Sequence, residues 1–529
     1  MHDGSIRTRF TAVKDTAVKY RTEFSALLMF VLLMLQRTIF GFRYFPMIDD
    51  WFLYYGKGTI ENYVDRMVLS VRPFAGIADT FIFTPMADHM EIMLLVLTLM
   101  LAAAVYFLNK AFSGSKMSSG AMIMIFIALA PIGFEALYWI SASSRIIVAL
   151  FFTSLCLYGE ARYLSGRKKR YLVMFALSSP LAVGFYEMMI PIFFALTVII
   201  MLKHRRSVWI MVFPVVFTAV IICHYVLGQG DPVMEERATI ISADLLGYHI
   251  YDTFYWYIKV LGELQFKMIG DAFLDGVRVM LEHPVCSVII VLVSAAFSML
   301  ARGKKNDGRL WYDLLMGVAL IAAAVSVTFI LSYVRIPFRV AYLLCIGAAL
   351  MLEAVLCRVL PGWAYKSVAF ILVLGSTICN IGELSLYKWN YERDSEYCDM
   401  VMDKTGACDS EKHIYIFNER SYWYDDRVKH YEYVKAVPEN FASITGMIRY
   451  RSGKGDINNV MTVHDGDVIA AYDVRGRDAE LYYINRDGEL MPCYAAEEDG
   501  NYQIKSDAGE FIGSLTLEGD EEMKYEKAD

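Results

Sequence analysis

Two adjacent carboxylates, Asp49 and Asp50, follow the first long apolar block of the chain and precede Trp51. Carboxylates beside a bilayer are costly unless water solvates them or a function uses them. A carboxylate held at that depth can accept a proton from an acceptor hydroxyl. A solvated helix end would also explain an Asp-Asp pair, but aromatic residues flank this one and are typical of the headgroup region, which favours a catalytic role. These flanking residues are Tyr44, Phe45, Trp51, Tyr54 and Tyr55.

Arginines form the second candidate group. Arg335 and Arg339 surround Pro337 between two apolar blocks, and Arg72 lies in the segment after the acidic pair. The forked donors of arginine match phosphate oxygens, so these three residues are candidates for binding a phosphate or diphosphate. Ordinary anchoring of helices at the interface would explain them equally well.

Three more residues are candidates for substrate binding. Trp139 and Arg145 lie where the third block leads into the fourth, and Arg145 is expected to face the outer leaflet and bind a lipid phosphate or to snorkel. Glu187 lies in a short turn between two nearly uncharged blocks, which indicates either a pocket partner or a solvated turn. Arg37, inside the first block, is expected to snorkel to the interface.

The elements that position these residues are predominantly membrane helices. The chain is 57% hydrophobic and 20% charged, against about 45–50% and about 25% in soluble domains. Eleven apolar blocks are predicted to span the membrane, whereas Val68–Ala87 contains two prolines and two charges and is predicted to be interfacial or re-entrant. The predicted spans are Ser25–Phe42, Ile92–Leu108, Ala121–Leu137, Ile146–Tyr158, Tyr171–Phe185, Met188–Leu202, Val208–Leu227, Pro284–Leu300, Leu310–Leu331, Val340–Leu356 and Ser367–Leu386.

Charge sets the predicted orientation. Residues 1–387 hold 33 Lys/Arg against 26 Asp/Glu, whereas residues 388–529 hold 17 against 31. Residues 1–24 and every second loop after them together carry 21 of those 33 basic residues, so this side of the chain is predicted to be cytoplasmic. The loops 43–91 and 228–283 then lie outside, and an odd number of spans places residues 388–529 outside as well. The acidic C-terminal region argues against nucleic acid as a partner.

Residues 388–529 are predicted to form an extracytoplasmic α/β to β-rich domain. Its expected strands are separated by turns such as Asp465-Gly466. They are His413–Phe417, Val460–Val463, Val468–Tyr472, Leu481–Ile484, Tyr502–Ile504 and Phe511–Leu517. Nine cysteines without paired Cys/His spacing predict no metal site, and no motif in the chain calls for a cofactor. At most one disulfide can form among the three C-terminal cysteines.

At this point the sequence resembles the GT-C glycosyltransferases, and within them bacterial families related to the Gtr-type O-antigen glucosyltransferases. The resemblance covers about residues 25–390. It is carried by Asp49-Asp50-Trp51, the aromatic and small residues of Tyr138–Ser143, and the segments Gly184–Glu187 and Arg335–Arg339. It implies an all-α polytopic body of the GT-C type in the bacterial cytoplasmic membrane. It also implies a sugar donor on polyprenyl phosphate and an envelope glycan or a lipid-linked glycan as acceptor. One Asp of the pair would be the general base of an inverting displacement, and arginines would hold the leaving phosphate.

Two other classes of protein fit part of the pattern. A lipid-linked glycan flippase or polymerase would also need outer arginines and many spans, and it should carry charges deep inside several helices. A non-catalytic membrane anchor for an envelope-sensing domain would not need the acidic pair and the arginines together. The predicted blocks hold few charges, most of them near block ends, which favours the transferase.

Overall fold

The structure is a computed structural model of the chain. It describes residues 20–55, 72–113, 117–202, 208–227, 241–242, 244–303, 310–329, 338–407, 412–417, 441–454, 457, 460–470, 474, 479–485, 487–498, 501–517 and 522–528. Arg335, a candidate phosphate-binding residue, lies outside these ranges.

Most of the described chain before residue 406 is helical. The α-helices are α1 (Arg21–Arg37), α2 (Phe52–Tyr55), α3 (Pro73–Ala78), α4 (Met90–Ser113), α5 (Ala121–Leu129), α6 (Glu135–Tyr138), α7 (Ile140–Gly166), α8 (Lys169–Gly184), α9 (Met189–Met201), α10 (Val212–Leu227), α11 (Leu246–Ile258), α12 (Phe266–Glu282), α13 (Pro284–Leu300), α14 (Leu310–Ser326), α15 (Phe338–Val359), α16 (Gly362–Thr405) and α17 (Phe441–Ser452). Short 3₁₀ turns cover Ile48–Trp51, Ala87–His89, Val208–Met211 and Val327–Phe329, and π turns cover Asp79–Phe83 and Lys259–Gln265.

Five helices in the described residues are long and apolar enough to cross a membrane, and a bent pair of helices makes a possible sixth. The five are Ala87–Ser113, Ile140–Gly166, Leu310–Phe329, Arg339–Val359 and Gly362–Thr405. All eleven predicted blocks contain helix, but several of these helices have 17 residues or fewer. A helix of 17 residues is only about 25 Å long, somewhat shorter than a bilayer core of about 30 Å. The described part of the predicted interfacial segment, Pro73–Phe83, is a short apolar helix.

The predicted span Ala121–Leu137 is not one continuous helix. Helix α5 ends at Leu129, and helix α6 begins only at Glu135. Pro131 has no backbone N–H to continue the helical hydrogen bonds, and Gly133 adopts a positive φ of 67°. The pair Pro131 and Gly133 therefore explains why an apolar run of span length is broken near its end.

The chain divides into two compact units. The first comprises the described residues within Met1–Tyr44, Val64–Ala78 and His89–Ser385. The second comprises those within Phe45–Tyr63, Asp79–Asp88 and Leu386–Asp529. The second unit thus contains the acidic pair together with the C-terminal region.

The second unit contains an eight-stranded mixed sheet of order β2-β1-β4-β5-β6-β7-β8-β3. Strand β1 is parallel to β2 and β4, and the remaining pairs are antiparallel. The strands are β1 (His413–Phe417), β2 (Val460–Val463), β3 (Val468–Ala470), β4 (Ala479–Ile484), β5 (Leu490–Glu498), β6 (Asn501–Ser506), β7 (Phe511–Leu517) and β8 (Glu522–Lys527). Helix α17 lies between β1 and β2 in the chain, and the prediction of a sheet-containing C-terminal region is confirmed, although β2 was expected in the antiparallel part and is parallel to β1.

One face of this sheet forms a hydrophobic core. Its members include Phe417, Ile504, Leu515 and Tyr525. The six expected strands are present, although the structure describes Val468–Tyr472 only as far as Ala470. Strands β5 and β8 were not predicted: β5 contains Pro492 and ends in two glutamates, and most residues of β8 are charged.

Candidate functional site

The acidic pair lies in a tight 3₁₀ turn, Ile48–Trp51, which continues into helix α2. The Asp50 side chain is fully buried, and its Oδ2 accepts a hydrogen bond from the backbone N–H of Met47 at 3.0 Å. The backbone N–H of Asp50 in turn donates to the carbonyl of Met47 at 2.8 Å. Asp49 is only half-buried. The two carboxylates therefore have different environments: Asp50 is part of the turn, and Asp49 reaches the surface.

Aromatic side chains surround Trp51, which is completely buried. Its ring is nearly parallel to that of Tyr391, with centroids 6.4 Å apart, and lies 5.5 Å from the ring of Tyr450 and 5.7 Å from that of Tyr54. Tyr54 also donates a hydrogen bond to the carbonyl of Ala87. Ring packing and this hydrogen bond therefore help to fix the turn.

Helix α17 of the C-terminal region packs directly on the acidic turn. The hydroxyl of Ser443 donates to the carbonyl oxygen of Ile48 at 2.7 Å. A Cβ added to Gly446 would lie 2.2 Å from the carbonyl oxygen of Trp51, so only glycine fits there without movement. We call the 3₁₀ turn Ile48–Trp51, with the helix α17 residues that touch it, the acidic turn site.

In the first unit, two candidate residues form an ion pair. Arg72 donates two hydrogen bonds, from Nε and Nη2, to the carboxylate of Glu187. The Arg72 guanidinium also lies 5.0 Å from the centre of the Tyr186 ring. Burial alone would raise the pKa of Glu187, but the charge and hydrogen bonds of Arg72 outweigh burial and lower that pKa. Burial and the neighbouring Glu187 charge raise the pKa of Tyr186 to about 12. Glu187 therefore has the partner that its isolated position in the sequence suggested.

Arg339 forms a second ion pair, with Glu135 at 3.0 Å. The Glu135 carboxylate is 4% exposed. The charge of Arg339 also acts on Tyr186 and Glu187, so the two ion pairs are electrostatically linked. We call Arg72, Glu135, Tyr186, Glu187 and Arg339 the arginine–glutamate cluster.

The remaining candidates lie in the first unit. Trp139 is buried directly before helix α7. Arg145 is also buried, and it donates to Ser141 O and Ser144 Oγ of its own helix. The expectation that Arg145 is exposed toward lipid is therefore not met, because protein covers its side chain. Its role in substrate binding stays a prediction.

Arg37 is the clearest correction to the sequence interpretation. It does not snorkel: it is fully buried and donates to Thr98 Oγ1 and to the carbonyl oxygen of Leu137. These partners lie 61 and 100 residues away in the chain. The sequence did contain a signal for these contacts, because a charged residue within an apolar block usually has a partner inside the helix bundle.

Other charges are buried as well, and two of them, Asp313 and Glu353, lie in the predicted apolar blocks. Asp313 and Arg358 form an ion pair at 2.8 Å, and Glu353 accepts hydrogen bonds from Tyr365 and from the backbone of Met122. Glu160, within helix α7, is fully buried, and neither carboxylate oxygen has a hydrogen-bond partner in the described part of the chain. The described part of the first unit therefore buries several charged side chains among its apolar helices.

Within the described ranges, no group of three or more His, Cys, Asp or Glu residues is arranged to hold a metal ion. Cys398 and Cys493 of the C-terminal region are free thiols.

No known family model matches this chain, and no curated protein is significantly similar to it. The acidic turn site and the arginine–glutamate cluster are therefore the basis for inferring its function.

Proposed function

We propose that this protein is a multi-pass membrane glycosyltransferase that moves a sugar from a polyprenyl-phosphate donor to an envelope glycan or lipid-linked acceptor. The acidic turn site carries the proposal, because it presents a half-buried carboxylate, Asp49, on a turn held by Asp50, Trp51 and helix α17. Such a rigid, partly exposed carboxylate suits a general base. The resemblance of Asp49-Asp50-Trp51 to the acidic pair of GT-C enzymes points to the same chemistry.

The reaction is a single displacement at the anomeric carbon. The acceptor hydroxyl oxygen forms the new bond to that carbon, and its proton passes to a carboxylate of the acidic pair. The bond from the anomeric carbon to the phosphate oxygen breaks, and its electron pair leaves with polyprenyl phosphate. No metal ion or organic cofactor is part of this proposal.

The sequence assigns the leaving phosphate to Arg72, Arg335 and Arg339. Arg72 and Arg339 already pair with Glu187 and Glu135. A guanidinium has five N–H donors, so pairing with one carboxylate leaves donors for a phosphate oxygen. Stabilising a leaving phosphate requires such preorganised cations. Binding of substrate by these arginines, and by Trp51, Trp139, Arg145 and Glu187, is part of the proposal.

The proposed location is the bacterial cytoplasmic membrane, with about eleven spans, the N-terminus in the cytoplasm and the C-terminal domain outside. The positive-inside asymmetry of the sequence supports this orientation. Ala508 lies in an exposed turn after strand β6, so Ala508→Cys should react with an impermeant thiol reagent in intact cells. Reaction only after lysis would contradict the orientation.

The transferase is tested by lipid analysis of a deletion strain. Loss of the protein should cause one polyprenyl-phosphate sugar to accumulate on cytoplasmic membranes and should remove one sugar from the envelope glycan. Restoration of both by the wild-type gene would support the proposal. Unchanged lipid-linked sugars and unchanged glycan would refute it.

A lipid-linked glycan flippase is the second candidate, and the buried charges favour it. Arg37, Glu160 and Glu353 all lie inside helices of the first unit, where charged groups often line transport paths. A flippase predicts accumulation of a complete lipid-linked oligosaccharide in the deletion strain rather than of a single-sugar lipid. The same lipid analysis therefore separates the two functions.

A further inference from the structure

The two carboxylates of the acidic pair are not equivalent. Asp50 is 0% exposed, and its Oδ2 is bound to the backbone N–H of Met47. Because the Asp50 backbone N–H also bonds to the Met47 carbonyl, side chain and backbone close the same short turn. Asp49 is half-buried, so the residue is partly accessible from the surface, unlike Asp50.

A general base must come within hydrogen-bond distance of the proton that it removes. Resting on the proposed function, we infer that Asp49 is the carboxylate that takes the acceptor proton, that Asp50 is a positioning residue, and that helix α17 holds the turn that presents Asp49. In the step, the acceptor O–H bond breaks as oxygen bonds to the anomeric carbon, the proton moves to Asp49, and the sugar–phosphate electron pair leaves with the lipid phosphate.

One face of helix α17 carries the argument for positioning. Ser443, Gly446 and Tyr450 are spaced by three and four residues, so they lie on the same side of the helix. Ser443 bonds to the Ile48 carbonyl, Gly446 allows the Trp51 carbonyl to approach, and Tyr450 packs on the Trp51 ring. These contacts bracket the acidic pair on both sides in the sequence. The C-terminal domain thus contributes to the geometry of the proposed base.

If Asp49 is the base and Asp50 a positioning residue, the two positions should respond differently to substitution by asparagine. An asparagine oxygen can still accept the Met47 N–H, so Asp50→Asn should retain most of the turn. An asparagine cannot act as a base, so Asp49→Asn should lose transfer. We expect Asp49→Asn to lower kcat by about 10²–10⁴-fold with little change in KM, and Asp50→Asn to lower kcat by about tenfold or less.

The kinetic test uses the full-length protein in detergent and, as donor, the polyprenyl-phosphate sugar that accumulates in the deletion strain. The expected result is the stated order of kcat values for Asp49→Asn and Asp50→Asn at equal protein amounts. Equal inactivity of the two variants, or an inactive Asp50→Asn beside an active Asp49→Asn, would overturn the assignment while leaving the transferase function intact. If no donor accumulates and neither variant changes the envelope glycan, the transferase itself is refuted.

A second measurement needs no substrate. Asp49→Cys and Asp50→Cys are treated with a charged methanethiosulfonate reagent. The rate of thiol modification is measured for each variant, and the rate of the wild-type protein, which reports its native cysteines, is subtracted. Asp49→Cys should react at least tenfold faster than Asp50→Cys. Adding Gly446→Ala or Ser443→Ala should raise the rate of Asp50→Cys. Ser452→Ala should not, because the Ser452 hydroxyl donates to the Arg449 carbonyl at 3.4 Å and accepts from the Lys454 backbone N–H at 3.2 Å, and neither partner belongs to the acidic turn. Equal rates at the two positions, or no effect of Gly446→Ala and Ser443→Ala, would contradict the positioning role.

Discussion

The acidic turn site and the arginine–glutamate cluster hold their charges in opposite ways. At the acidic turn, rings and backbone hydrogen bonds fix Asp50 and leave Asp49 half-buried. In the cluster, each carboxylate pairs with an arginine: Glu187 with Arg72, and Glu135 with Arg339. Ring packing and backbone hydrogen bonds thus hold the acidic turn, whereas ion pairing holds the cluster. The comparison separates a proposed reactive group from a proposed electrostatic one.

The largest expected effect comes from removing the ring at the centre of the acidic turn. Trp51→Ala deletes a fully buried side chain and should destabilise the protein by about 3–5 kcal/mol. Trp363→Ala, at a side chain that is 74% exposed, is the control and should change little. Thermal unfolding in detergent measures both. Equal shifts in Tm would mean that Trp51 does not hold the turn.

A smaller loss is expected when the arginine–glutamate cluster loses a cation. Arg339→Ala removes the partner of the buried Glu135 and should cost about 2–3 kcal/mol, less than a fully buried pair because Arg339 is partly exposed. Arg278→Ala is a matched control, since Arg278 pairs with Asp275 while 75% exposed. The same melting experiment should show a loss of less than about 1 kcal/mol for that control. Similar losses in both would contradict a buried, energetically important pair.

Coupling between Arg72 and Glu187 should be measurable as non-additivity. A double-mutant cycle of Arg72→Ala and Glu187→Ala should give an interaction free energy of about 1–2 kcal/mol. The same cycle across Arg72 and Arg278 should be additive within about 0.5 kcal/mol, because Arg278 forms its ion pair with Asp275. Additivity in the first cycle would mean that Arg72 and Glu187 do not form an energetically significant ion pair.

The smallest expected effect is a pH dependence from Glu187. Its pKa is lowered in the folded protein, so the Arg72 pair stabilises the fold fully above the unfolded pKa of about 4.3. That stabilisation is lost as pH falls through the lower, folded pKa. The stability difference between wild type and Glu187→Gln should therefore be constant from about pH 5 to 8 and shrink below about pH 4. A difference that grows on acidification would give the wrong sign.

Sequence patterns were sufficient for the local elements but not for their long-range contacts. Apolar blocks gave the helices, and alternating residues gave six of eight strands. Strand β8 was missed although Met523 and Tyr525 alternate with charged residues, which is the pattern of a half-buried strand. The Ser443–Ile48 hydrogen bond joins residues 395 positions apart, and no periodicity indicates such a partner.

Two glycines illustrate the same limit. Pro131 and Gly133 were a local signal of a helix break, although Ala121–Leu137 was predicted as one span. Gly446 lies inside helix α17, where glycine is locally unfavourable. Only the position of the Trp51 carbonyl explains it. The only sequence signal of this close contact was a glycine inside a helix, where glycine is normally unfavourable.

The central claim is that the acidic pair performs sugar transfer, and one measurement addresses it most directly. Lipid-linked sugars are quantified in the deletion strain carrying wild-type protein, Asp49→Asn or the control Ser452→Ala, at equal amounts in the membrane. The account predicts that Asp49→Asn leaves the polyprenyl-phosphate sugar as high as in the deletion strain, whereas wild type and Ser452→Ala return it to the normal level. A normal level with Asp49→Asn would contradict the account.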